Sequence, residues 1–160
     1  MPHLILVKHA LPAIIPTLPA NQWHLSEIGR AQCALLADQL ATYVPDALVS
    51  SSEPKALETA HLVAQKMHMS VQVVDGLQEH DRSNTPWLDP EEFDRAVAAF
   101  FRHPTELVLG GETAHQASER FARTMAKCSV SELMLRFMLP PSDSLVGHLR
   151  TPCDGPRSLL

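Results

Sequence analysis

An α/β architecture with a largely parallel sheet is encoded in this chain of 160 residues, and three observations carry that reading. Short apolar runs alternate with amphipathic helical segments in the order strand, helix, strand, helix, strand, the rhythm of parallel crossover units. The first run, HLILVK over 3–8, is continuously apolar, the pattern of a strand covered on both faces. A hydrophobic share of 45% at this length fits one compact domain, with an aliphatic core because aromatics supply only 5%.

The elements follow in order. After His9, the segment ALPAIIPTLPANQW holds Pro12, Pro16 and Pro19, whose fixed φ and missing N–H exclude helix and interior strand, so a loop leaves the C-terminal end of the first strand. Ser26 can cap a helix to about Ala41, in which Ile28, Ala31, Leu35, Leu36 and Leu40 recur at helical spacing. Pro45 and Asp46 break the chain before ALV, a short strand running into Ser50, Ser51 and Ser52. Pro54 suits the first turn of a second helix with Leu57, Ala60, Ala64 and Met67 on one face, and VQVV over 71–74 is the next strand.

Beyond the loop LQEHDR, Asp89 as N-cap with Pro90 and two glutamates opens a helix expected to bury Phe93, Val97, Phe100 and Phe101 before Pro104 closes it. A glycine turn in LVLGGET leads to Thr113 and Gln116, a capping box for a helix through Ala117, Phe121 and Met125. After Lys127, Ser129 and Glu132 form a further capping box, and Val130, Leu133, Met134, Phe137 and Met138 mark the face of a helix over 130–139. Residues 140–160 are rich in Pro, Ser and Gly, so the chain divides into a domain over 1–139 and an irregular tail over 140–160.

Composition excludes several function classes. A net charge of -5 leaves no basic field for nucleic acid or anionic lipid, so an anionic ligand needs a local pocket. No segment approaches the roughly 20 apolar residues of a membrane span, and LILV is too short for a signal-peptide core. Cys33, Cys128 and Cys153 are odd in number and show no CxxC spacing, which favours free thiols and a cytoplasmic location. Nine histidines invite a metal reading, but no HExxH motif and no close histidine pair supports one, and no cofactor is expected.

Two places concentrate chemistry. His9 directly follows a buried strand, where parallel sheets present ligand-binding groups, although a hydrogen-bonded histidine at a strand end would look the same. Lys8 beside it reaches the same ligand only if the strand is ending there. SSSEPKALETA brings hydroxyls, Lys55 and the unpaired N–H groups of a helix start to a second strand end, which suits a phosphate and equally suits simple capping.

Taken in order, LILVKHALP, LSEIGRAQCALLADQL, SSSEPKALETA, LQEHDR and GGETAHQASERF resemble the histidine phosphatase superfamily, the phosphoglycerate mutase-like fold, over residues 3–127. The resemblance implies a three-layer α/β/α domain with a mostly parallel central sheet. It implies a phosphatase acting on a phosphate monoester or phosphohistidine, with His9 as the nucleophile that becomes phosphohistidine. Lys8 and Lys55 stand where the family has phosphate-binding arginines, supplying charge without the bidentate fork. Glu79 stands as general acid, with Asp81 close by as the competing carboxylate. Glu112 and Thr113 occupy the glycine-flanked turn, where capping is the plainer role for Thr113.

The likeness stops at the C-terminal part. The family's second catalytic histidine ends an apolar strand in His-Gly beside the first strand, and here the only later histidine is His148, in SLVGHLR. Two explanations follow: a C-terminal part recoded relative to an active ancestor, with the central strand lost and the 130–139 helix covering the exposed edges, or an unusual approach of His148 to the pocket. The alternative function is therefore a catalytically weak or inactive binder of phosphate ligands. An interaction module using the 130–139 helix is a third.

Overall fold

The computed structural model describes residues 4–128, together with the backbone of two strands at Leu133–Leu135 and Val146–Leu149. The elements are β1 (Leu4–Val7), α1 (Glu27–Ala41), β2 (Leu48–Ser50), α2 (Pro54–Met67), β3 (Val71–Val73), α3 (Pro90–Arg102), α4 (Ala114–Lys127), β4 (Leu133–Leu135) and β5 (Val146–Leu149), with a 3₁₀ turn at Ala20–Gln22. The five strands line up as β3-β2-β4-β1-β5, all parallel except β5, which runs antiparallel to β1.

Alternation along β1 explains the layering. Ile5 and Val7 pack with Cys33, Leu36 and Leu40 of α1 and Ala60 and Val63 of α2, whereas Leu4 and Leu6 face Phe121 and Met125 of α4. β2 divides likewise, Leu48 to the first side and Val49 to the second. The sheet is thus sandwiched in three layers, as the family resemblance implies, and each fully buried leucine such as Leu36 or Leu40 contributes about 1.5–3 kcal/mol. α3 closes a smaller cluster in which Phe100 meets Leu109 and Ala114.

Caps fall where the sequence places them. Ser26 accepts from the Gly29 N–H, and Asp89–Glu92 and Thr113–Gln116 each form a complete capping box. Pro54 occupies the first turn of α2.

Four expectations are corrected. The buried face of α1 is Gly29, Cys33, Leu36, Ala37 and Leu40, and Ile28 and Leu35 are 64% and 67% exposed. Two neighbouring stripes on this helix are both apolar enough to serve, and close approach decides between them. A Cβ at Gly29 would lie 2.1 Å from the Leu11 carbonyl oxygen, so the side without a side chain must face the loop. On α3, Phe101 is exposed, with its ring in edge-to-face contact with Phe100.

Leu133–Leu135, expected within a helix, is β4 in the slot between β1 and β2. A short apolar run suits either structure by periodicity, and the unpaired N–H and C=O groups of two flanking strands favour pairing. The central position is therefore filled. Val146–Leu149, expected to be irregular, forms β5, supplying β1 with a second partner. The remaining residues of 129–160 lie outside the described residues.

The loop between β1 and α1 is folded back on itself. Pro12 bridges Leu25, the Ala13 N–H donates to the His24 carbonyl, and the Trp23 indole N–H donates to the carbonyls of Ile15 and Leu18. Trp23 also meets Trp87 of the loop before α3, with ring centroids 6.2 Å apart. Among the described residues, no helix is long and apolar enough to cross a membrane.

Candidate active site

β1 ends at Val7, so Lys8 and His9 both leave the sheet at the edge where β2, parallel to it through β4, gives way to the start of α2. Thr59 ties the two chain segments together. Its Oγ1 accepts from the Ala10 N–H at 3.0 Å and donates to the Lys55 carbonyl at 2.7 Å. His9 is buried, and its Nδ1 lies 2.8 Å from the Ala10 carbonyl oxygen. A carbonyl only accepts, so that contact puts the proton on Nδ1 and the lone pair on Nε2. Burial, together with the charges of Lys55 and Lys8, lowers the His9 pKa against the opposing pull of Glu79 and the backbone bond.

Lys55, 2% exposed, donates to Glu79 Oε1 at 2.5 Å and to the Ala20 carbonyl at 2.8 Å, with Glu53 Oε1 at 3.8 Å. Glu79 is 7% exposed. Burial pushes its carboxyl up, but Lys55 and Arg82, whose guanidinium lies 3.1 Å from Oε1, outweigh burial and hold it below the usual carboxylate range. Glu53 takes the opposite course: burial first, then the charge of Glu79, raises its pKa. Its Oε2 accepts from the Glu79 N–H at 3.1 Å. Burial lowers the Lys8 pKa while Glu79 raises it, which places Lys8 within electrostatic reach of this group.

His9, Lys55, Glu79 and Lys8 are therefore gathered at one strand edge. Asp81 is exposed and accepts from the Ser83 N–H at 3.0 Å. His148 lies in β5 with its backbone paired opposite Ile5, four residues back along β1 from His9, or about 13 Å at the strand rise. Its side chain lies outside the described residues.

The carboxylate loop is held from a second direction. Arg120 of α4 donates through Nη1 to the carbonyls of Gly76 and Gln78, at 3.0 and 2.9 Å, and through Nη2 to the Glu79 carbonyl at 3.3 Å. The same guanidinium grips both carboxylate oxygens of Glu112, at 2.5 and 3.2 Å, and Glu112 Oε1 accepts from the Asp81 N–H. A cleft of about 520 Å³ opens beside this loop, lined by Asn21, Glu53, Gln78, Glu79 and Arg120 among others. Among the described residues, no three His, Cys, Asp or Glu side chains form a group that could hold a metal.

Sequence reasoning missed Glu53, Arg82 and Arg120. No helical spacing links Glu112, which precedes the Thr113 cap, to Arg120 within α4, and Glu53 reads as a solvated residue before Pro54.

The sequence from 19 to 132 matches the family model of the histidine phosphatase superfamily (branch 1). This chain belongs to that superfamily. The matched span begins after His9 and stops just short of β4. No curated protein matches the chain. Among solved structures, histidine phosphatase-like folds align over most of its length. A mycobacterial glucosyl-3-phosphoglycerate phosphatase shares 21% identity with a TM-score of 0.68, covering 83% of this chain and 72% of that one. A Thermus thermophilus protein, TTHB049, shares 23% with a TM-score of 0.62, covering 84% and 77%. An Agrobacterium tumefaciens candidate phosphohistidine phosphatase, SixA, shares 17% with a TM-score of 0.51, covering 85% and 69%. At these identities the likeness is one of fold.

Proposed function

We propose that this histidine phosphatase superfamily member hydrolyses a phosphate monoester, or the phosphoramidate of a phosphohistidine, through a phosphoryl intermediate on His9. The observation that carries the reading is the gathering of a neutral, tautomer-fixed His9 with Lys55, Lys8 and the buried Glu79 at one sheet edge. His9 Nε2 attacks phosphorus, the bond from phosphorus to the leaving atom breaks, and Glu79 delivers a proton to that atom. Water then attacks phosphohistidine, its proton passes to Glu79, and phosphate departs with His9 restored. Lys8 and Lys55 offset the charge on the phosphoryl oxygens. Glu79 is ionised while Lys55 holds it. A phosphoryl group that draws Lys55 away leaves a buried carboxyl beside Glu53, which takes up the proton it later gives.

Burial and the Lys55 contact support Glu79 over Asp81 as the acid. The cleft beside Glu79 is the space for the leaving group, and the buried Asn21 Oδ1 on its wall, which has no hydrogen-bond partner among the described residues, suits a donor on that group. The buried free thiol of Cys33 fits a reducing cytoplasm.

One observation favours a second reading, a phosphate-ligand binder with little turnover: Lys55 is already engaged by Glu79 and the Ala20 carbonyl. Phosphate release from an aryl phosphate between about pH 5 and 7 separates the two. Turnover by wild type that His9→Ala abolishes supports the phosphatase. Saturable binding of inorganic phosphate without turnover in folded protein supports the binder.

A further inference from the structure

We propose that Arg120 is a positioning residue for the proton-transfer step: it fixes the backbone that carries Glu79, so that the Glu79 carboxyl meets the leaving atom. The inference rests on the acid role of Glu79 proposed above. Its basis is a convergence of acceptors. The chain from Gly76 to Glu79 belongs to no helix or strand, yet three of its carbonyls turn toward one guanidinium on α4. A loop with that many peptide oxygens aimed at one side chain takes its shape from that side chain.

The hold is two-sided. Glu79 N–H goes to Glu53 Oε2 at the start of α2, and Glu79 C=O goes to Arg120 on α4, so the peptide units flanking the acid are fixed from both directions. Arg120 is itself oriented by its two-pronged contact with Glu112, and Glu112 also takes the Asp81 N–H on the far side of the loop. A planar fork is needed here, because three carbonyls and a carboxylate lie in different directions; a lysine ammonium at the end of a flexible stem cannot hold all of them. Backbone geometry makes the same demand. Gly76 has φ of 93°, and a Cβ there would stand 2.2 Å from Thr124 Oγ1 of α4, so the loop is drawn tightly onto the helix that carries Arg120.

The effect belongs to one chemical step. An alkyl leaving group needs its oxygen protonated as the bond to phosphorus breaks, whereas a nitrophenolate leaves without help. A misplaced Glu79 therefore slows alkyl esters and spares activated aryl esters. A loss of fold would slow both together.

The test measures kcat/KM, which reports phosphoryl transfer to His9, for glycerol phosphate and p-nitrophenyl phosphate with wild type, Glu79→Gln and Arg120→Lys. Glu112→Gln serves as a milder variant if Arg120→Lys does not fold. Arg120→Lys is expected to lower kcat/KM on the alkyl ester roughly 100-fold, with a far smaller change on the aryl ester, the same pattern as Glu79→Gln. In parallel, a ¹³C titration of the Glu79 carboxyl, assigned by its disappearance in Glu79→Gln, is expected to move up toward ordinary carboxylate values in Arg120→Lys as the carboxyl leaves Lys55 and Arg82. An unchanged alkyl-to-aryl ratio in Arg120→Lys beside a changed one in Glu79→Gln overturns the positioning role and leaves the acid in place. A ratio unchanged in Glu79→Gln overturns the acid role itself. That result takes the positioning role with it, whereas an unmoved Glu79 titration in Arg120→Lys overturns the positioning role alone, without any turnover being needed.

Discussion

Lys55 is a cation held almost wholly out of water by two carboxylates and a carbonyl, so its removal strands charge of the opposite sign. Lys55→Ala is expected to cost about 3–5 kcal/mol in chemical denaturation, because Glu79 loses its strongest partner in a buried place. His9 supplies the second prediction at this scale. Burial depresses its pKa, so the neutral nucleophile persists to lower pH than for an ordinary histidine. The acidic limb of kcat/KM on an aryl phosphate should therefore fall below the usual histidine value of about 6.5. His148→Ala measured in the same series asks whether that residue takes part: a loss comparable to that of His9→Ala places it in the site, and full activity removes it. The sequence singles out His9, Lys8 and Lys55 because they sit at a strand end or a helix start, whereas Glu79 is singled out only through the family resemblance of LQEHDR. Arg120 and Glu53 were opaque because their partners are backbone groups far along the chain, which no local spacing encodes.

Elements were readable wherever a local signal and the tertiary demand agreed. Ser26, Asp89 and Thr113 cap the helices they precede, since a capping hydrogen bond spans only three residues and leaves its mark in sequence. Which stripe of α1 faces inward was not readable, because Ile28 and Leu35 are as apolar as the residues that won. Gly29 decides that choice. Gly29→Ala should destabilise the protein by about 1–3 kcal/mol in thermal or denaturant unfolding, since the new methyl collides with the Leu11 carbonyl and must push the loop beside His9 outward. β4 was misread for a related reason: three residues are too few to show a period, and the pairing that stabilises them lies in β1 and β2, more than eighty residues upstream in the case of β2.

Across the whole molecule, β1 is flanked on both sides, by β4 and β5, while β3 stands at the edge. Amide hydrogen exchange is expected to be slowest in β1 and markedly faster in β3, whose Gln72 and Val73 are exposed. Global stability should also follow the two buried carboxylates in opposite senses. The depressed pKa of Glu79 adds stability above the ordinary carboxylate range and loses it as pH falls through its own folded value. The raised pKa of Glu53 subtracts stability at neutral pH. Glu53→Gln, which keeps an oxygen for the Glu79 N–H, should therefore be more stable than wild type at pH 7, with the difference vanishing below about pH 4, where the unfolded carboxylate is protonated too.

The contact between Trp23 and Trp87 turns the fold into its own optical instrument. The chain holds only these two tryptophans, and they stand together where the loop after β1 meets the loop before α3. The first loop is tethered to Lys55 through the Ala20 carbonyl, three residues before Trp23. An anion that recruits Lys55 releases that carbonyl, and the disturbance reaches an indole without any label being added. If Lys55 belongs to the proposed phosphate site, intrinsic fluorescence of the unmodified protein is expected to change on titration with inorganic phosphate, whether or not a ligand is turned over.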